Sequence, residues 1–171
     1  VRGDEGQPLH VGDDSNVQDG VVIHALETEE HGKPVEKNLM EVNGKKYAVY
    51  VGNRVSMAHQ VQIHGPAVVM DDTFVGMKVL VFKSKVGKNC VIEPGSIIMG
   101  VTVADGRYVP AGSVIKTQQQ ADESENASVL LRALGIDEDV QVDADEHLLM
   151  ESDVVEVTAS RVGTNVTNQE I

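Results

Sequence analysis

The sequence predicts an all-β solenoid: a left-handed parallel β-helix of hexapeptide repeats, closed by a short C-terminal α-helix. Two observations carry that prediction. First, aliphatic residues recur at every sixth position through Val51, Met57, Ile63, Val69, Val75 and Val81. After one five-residue step the series resumes at Val86, Ile92 and Ile98, and after another at Val103, Val109 and Ile115. Second, small or turn-forming residues often follow the aliphatic one (Gly12, Gly52, Ala58, Gly76, Gly87), and small or branched residues sit four places on (Val55, Val61, Ala67, Thr73, Cys90). A period of six fits neither the 3.6 of a helix nor the 2 of an alternating strand. It fits a triangular prism of short flat strands with tight corners, in which each coil needs its neighbours to bury the inward aliphatic stack.

Along the chain, Val11, Val17 and Ile23 keep the same step and place one residue on each of three faces, A, B and C, of a first coil. Residues 25–50 interrupt the repeat. Their acidic start (Glu27, Glu29, Glu30) reads as helix-like or irregular, and Asn43-Gly44 between Val42 and Lys45 reads as a tight hairpin turn. Val51, Met57 and Ile63 return to faces A, B and C. From about residue 121 the composition changes. Residues 127–134, stopped by Gly135, read as a short amphipathic helix, and 153–158 as a strand. The organisation expected is a β-helix over 1–118 carrying the 25–50 insertion, a C-terminal helix over 119–135 and an acidic tail over 136–171.

Composition narrows the function classes. The chain has 171 residues, 41 % hydrophobic and 24 % charged, a globular balance. A single cysteine, Cys90, rules out an intrachain disulfide and a thiolate zinc cluster. A net charge of -13 and only 3 % aromatics argue against nucleic acid as a partner, and the sequence has no apolar run long enough for a membrane-spanning helix. Residues 121–171 hold 13 acidic and two arginine side chains, a net of -11, so of the total the first 120 residues carry -2. That tail reads as a solvated extension.

The histidines add chemistry. His24 and His64 each follow a C-face aliphatic residue, so they share one phase. If the insertion loops out without changing the register, they lie one coil apart, at about the 4.8 Å strand spacing. That separation suits two imidazoles on one metal ion. His59 lies two places after the B-face Met57 and points elsewhere. Flat prism faces suit a homotrimer, in which face B of one subunit meets face C of the next and His59 completes a site begun by His24 and His64. Three imidazoles with an open fourth position form a catalytic rather than a structural zinc arrangement. Such an ion lowers the pKa of bound water to about 7 and so supplies a hydroxide nucleophile at neutral pH. His10, His31 and His147 lack this matching and read as solvent-facing.

The run Arg2-Gly-Asp-Glu5 together with Asn16-Val-Gln18-Asp19 through His24 to Glu27 closely resembles the gamma-class carbonic anhydrases. Ala58-His59-Gln60, His64-Gly65-Pro66 and the run from Asp105 to Gly112 continue the match over roughly residues 1–118. The resemblance implies His24, His59 and His64 as metal ligands, with His59 supplied by the adjacent subunit of a homotrimer. It implies Gln18, with Asn16 beside it, at the carbon dioxide or bicarbonate site. It gives Glu5 a part in moving the proton at the site, and Glu27, on an insertion like the acidic loop of the archaeal prototype, the shuttle to solvent. Arg2, Asp4 and Asp19 match an interface ion-pair set. The metal implied is Zn2+, with Fe2+ or Co2+ as alternatives, and export is implied if the chain follows that prototype, a cytoplasmic location otherwise.

Two departures are visible. Family members usually carry two or so further coils ahead of the Arg-x-Asp-Glu segment, and without them the strand near Arg2 is an exposed sheet edge. The functional Asn of the family's C-terminal helix has no match here. A non-catalytic β-helix scaffold and a hexapeptide-repeat acyltransferase are the alternative readings, since the fold alone does not decide function; the shared phase of His24 and His64 disfavours the acyltransferase.

Overall fold

A computed structural model describes residues 1–128 together with 149–151 and 154–156. Three parallel sheets, each with five parallel strands in the solenoid, form the prism. Face A consists of Leu9–Val11, Val49–Val51, Ala67–Val69, Lys85–Val86 and Thr102–Val103. Face B consists of Asn16–Val17, Ser56–Met57, Phe74–Val75, Val91–Ile92 and Arg107–Val109. Face C consists of Val22–Ala25, Gln62–Gly65, Leu80–Phe82, Ile97–Met99 and Val114–Ile115. The left-handed parallel β-helix read from the sequence is borne out.

The pairing register is that of the hexad. Val11, Val51, Val69, Val86 and Val103 stack rung on rung. So do Val17, Met57, Val75, Ile92 and Val109, and Ile23, Ile63, Val81, Ile98 and Ile115. Every middle member of these stacks is fully buried. Val17, on the first rung, is 44 % exposed because, among the described residues, no strand of face B lies on its outer side.

Corner chemistry explains the small residues. At each A-to-B corner the third residue after the inward aliphatic one has positive φ: Asp14, Arg54, Asp72, Asn89 and Gly106. The B-to-C corners repeat this at Gly20, Gln60, Lys78, Gly95 and Gly112. Both five-residue steps fall at C-to-A corners, where positive φ comes one residue earlier, at Lys83 and Gly100. At the A-to-B corner, Asx side chains bond down the stack: the Asp13 N–H donates to Asn53 Oδ1 (2.8 Å), the Asn53 N–H to Asp71 Oδ1 (3.0 Å) and the Lys88 N–H to Asp105 Oδ1 (2.8 Å). Gly52 lies where that Asx reaches in, and a Cβ there would run into Asp71 Oδ1 and stand 2.7 Å from the Asp71 nitrogen.

The last rung is covered by polar side chains. The Gln118 amide receives the Thr102 N–H (3.0 Å) and donates to the Thr102 carbonyl (2.7 Å), so it stands in for a further strand on face A. Gln118 opens the helix Gln118–Asp122, whose start is fixed by a Thr117/Gln120 capping box. On face B, Glu125–Asn126 pairs antiparallel with Arg107–Tyr108. The helix expected over 127–134 lies, beyond residue 128, outside the described residues, as does most of the acidic tail. Within the tail, Leu149–Glu151 pairs antiparallel with Val154–Glu156.

The insertion is built of two hairpins. Met40–Val42 pairs with Lys45–Tyr47 around Asn43 and Gly44, both at positive φ. The acidic start is not helix-like: Glu29–Glu30 pairs with Lys33–Pro34 around His31 and Gly32, again both at positive φ. The two left-handed residues make a primed turn, which joins strands rather than continuing a helix. One short 3-10 turn follows at Glu36–Asn38. His10 also departs from expectation. It is half-buried and stacks on Tyr50 with ring centroids 4.7 Å apart and planes 16° from parallel, with Tyr47 of the insertion beside it.

Replacing Gly52 by alanine should force the Asp71 carboxylate and backbone to yield. The expected loss is about 1–3 kcal/mol of stability, read as a lower denaturation midpoint in urea.

Candidate metal centre

Face C supplies two histidines by register alone. His24 and His64 are direct strand partners on adjacent rungs, because Val22–Ala25 pairs residue for residue with Gln62–Gly65. Their rings meet edge to face, centroids 5.3 Å apart at 82°. Both are half-buried. His64 Nδ1 lies 3.3 Å from the carbonyl of its neighbour Gly65. The far side of the His64 ring is walled by Phe82, its strand partner on the next rung (5.5 Å, 71°).

Carboxylates reach the pair from the N-terminal segment. The Arg2 N–H donates to the Ile23 carbonyl (2.9 Å), which lays this segment along the open edge of the first C-face strand. Glu5 Oε1 then comes to 3.1 Å from His24 Nε2, and Asp4 Oδ1 to 3.2 Å. Among the described residues, Asp4, Glu5 and His24 are a group whose ligand atoms all lie within 4.8 Å of one another. Arg2 holds the other Asp4 oxygen through Nε (2.7 Å) and a terminal nitrogen (2.6 Å). This guanidinium is the main reason that the Asp4 carboxyl titrates below its usual range.

The remaining residues singled out in the sequence lie elsewhere in the chain. His59 is exposed in the B-to-C turn after Ser56–Met57, away from His24 and His64 on face C. Asp19 holds the equivalent turn position one rung away, its carbonyl accepting the Gln60 N–H (2.9 Å). Asn16 and Gln18 are half-buried on the first rung of face B and its edge, and Gln18 donates its N–H to the Met57 carbonyl (3.0 Å). Glu27 is exposed just beyond the His24 strand, its carbonyl accepting Asn38 Nδ2 (2.7 Å). The single chain thus gathers His24, His64, Glu5 and Asp4, and leaves His59, Asp19, Gln18 and Asn16 on another side of the prism.

One neighbour of the site, Phe82, is not among the residues singled out in the sequence, and Asp4, singled out there as an interface ion-pair residue, also reaches His24. Phe82 was legible in principle, since it shares the C-face phase of His64.

Imidazole nitrogens and carboxylate oxygens are the donors that Zn2+, Fe2+ and Co2+ take. The imidazoles of His24 and His64, paired in register on adjacent rungs, therefore fit a divalent ion.

No family model matches the chain. Over 123 residues, 71 % of its length, it is 65 % identical to a carbonic anhydrase of Methanosarcina thermophila, of which that stretch covers 50 %. It is 43 % identical over 122 residues to the carboxysome assembly protein CcmM of a Nostoc species, covering 20 % of that protein. It is 29 % identical over 115 residues to the mitochondrial gamma carbonic anhydrase 2 of Arabidopsis thaliana, covering 34 %. The chain spans half the length of the first of these curated relatives and less of the others. The resemblance drawn from the sequence motifs is borne out.

Replacing Arg2 by alanine should move the Asp4 titration upward, because the lowering of its pKa comes chiefly from that guanidinium. Carboxyl-carbon NMR should find the Asp4 midpoint below 3.8 in the parent chain and closer to it in Arg2→Ala.

Proposed function

We propose that this chain, a relative of the gamma-class carbonic anhydrases through its β-helix, catalyses the reversible hydration of carbon dioxide to bicarbonate and a proton. The observation that carries the reading is the in-register pairing of His24 with His64, with Glu5 at His24 Nε2. When bound, a divalent ion held by three imidazoles lowers the pKa of water at its open position to about 7, which supplies a nucleophile at neutral pH. We assign the ion to His24 and His64 of one subunit and His59 of the next, with Zn2+ as the metal and Fe2+ or Co2+ as alternatives.

The exposed pattern of face C supports a homotrimer. Val22 and Val114 are 46 % and 43 % exposed, and the half-buried Leu80, Ile97, Phe82 and Met99 lie between them beside the histidines. An apolar face of this kind marks an interaction surface, and on this reading a second copy of the chain covers it. Face B of a second copy would bring His59 and Asp19 to it, so that Asp19 meets the Arg2–Asp4 pair. Asn16 and Gln18 would come with them, offering amide groups that orient carbon dioxide and bicarbonate.

The chain's own groups handle the proton. Glu5, half-buried and in contact with His24, accepts it at the site. Glu27, exposed at the start of the insertion, releases it to solvent. A scaffold role, suggested by the name of the Nostoc relative, gives no reason for two imidazoles in register with a carboxylate at one of them, and neither does acyl transfer.

The test is metal content and carbon dioxide hydration in the purified protein and in His59→Ala. The reading predicts about one metal ion per chain and hydration activity, with His59→Ala losing at least ~10²-fold in metal affinity or rate. Absence of bound metal after zinc or anaerobic iron loading, or full activity in His59→Ala, contradicts it.

A further inference from the structure

We propose that Thr28 is a positioning residue that clamps the Glu5 segment to the insertion and so holds the Glu5 carboxylate against His24. The inference deepens the hydration reading and rests on it.

Thr28 is 0 % exposed and uses every polar group that it has. Its hydroxyl donates to the Glu5 carbonyl, which also accepts the Thr28 N–H (3.3 Å). The same hydroxyl oxygen accepts the Gln7 N–H (3.0 Å). On the insertion side, the Thr28 carbonyl accepts the Val35 N–H (2.8 Å). One side chain therefore joins residues 5 and 7 to the hairpin that follows Glu27. The contact is close. Gly6 between them has φ +92°, and a Cβ there would stand 2.9 Å from both Cβ and Oε2 of Glu29.

Besides the side-chain contacts of Asp4 and Glu5 with His24, the backbone of this segment is held at its ends, where Arg2 bonds to Ile23 and the Pro8 carbonyl accepts the Ala48 N–H (2.8 Å), and at Thr28 between them. A buried hydroxyl with donor and acceptor both satisfied specifies one arrangement, and removing it leaves partners unpaired. Valine, with the shape of threonine and no hydroxyl, frees the Gln7 N–H and loosens Glu5. Serine keeps the hydroxyl.

The experiment compares the parent chain with Thr28→Val and Thr28→Ser, with metal content measured in each. In weak buffer, kcat of Thr28→Val should fall about tenfold while kcat/KM, set by carbon dioxide attack, stays within about twofold. Imidazole buffer should restore the lost kcat, and Thr28→Ser should behave like the parent. Independently of metal and activity, hydrogen exchange of the Gln7 amide should be faster in Thr28→Val and unchanged in Thr28→Ser. Unchanged Gln7 exchange in Thr28→Val overturns the clamp whether or not the chain hydrates carbon dioxide. Equal losses in kcat and kcat/KM without buffer rescue overturn the positioning role. Failure of the parent chain to hydrate carbon dioxide contradicts the hydration reading and leaves the exchange result to judge the clamp.

Discussion

The one-to-one register of successive rungs is the constraint on which the site depends. A strand displaced by one residue turns its side chains to the opposite face of the sheet. Here the three inward stacks of aliphatic residues hold the rungs in place, because any slip would expose Ile63, Met57 or Val51 and bury a polar neighbour. The 25–50 insertion is the hazard to that register, and it is closed with no change of phase. Val49 pairs with Leu9, and Gln62 with Val22, on either side of it. His24 and His64 are therefore neighbours in space although 40 positions apart in the chain.

The corners carry the second half of the constraint. The left-handed residues at the A-to-B and B-to-C corners would be costly if the turns were isolated, since a non-glycine residue there costs about 1–2 kcal/mol. Stacking spreads the support: the Asx side chain of one rung binds the backbone of the next, and Arg54 and Lys88 pair with Asp72 and Asp71 across rungs. The exposed ion pairs add little. The backbone bonds and the glycine that admits them do most of the holding.

The prism was legible in the sequence because its signal is repeated: fifteen aliphatic positions in one phase define the faces without reference to local propensity. The phase of His24 and His64 was legible for the same reason. What could not be read lies outside the repeat. The acidic start of the insertion has helix-compatible composition, yet His31-Gly32 turns it into a hairpin. His10 looked like a surface residue because its partners, Tyr47 and Tyr50, arrive from the far end of the insertion. The approach of Asp4 and Glu5 to His24, and the Thr28 hydroxyl that ties Glu5 down, depend on contacts between 19 and 23 positions apart that follow no period. Gln118 standing in for a strand at Thr102 is likewise a single side-chain event, invisible to pattern reading.

On the proposed reading, a competent site needs two copies of the chain, His24 and His64 from one and His59 from the other. Mixing His24→Ala and His59→Ala chains tests it most directly. Each variant alone should lack carbon dioxide hydration. Co-assembled in equal amounts, about a quarter of the sites should pair an intact His24–His64 with an intact His59, so about a quarter of the parent activity should return. Mixed assemblies as inactive as either variant alone would contradict the shared site, and so would full activity in either variant by itself.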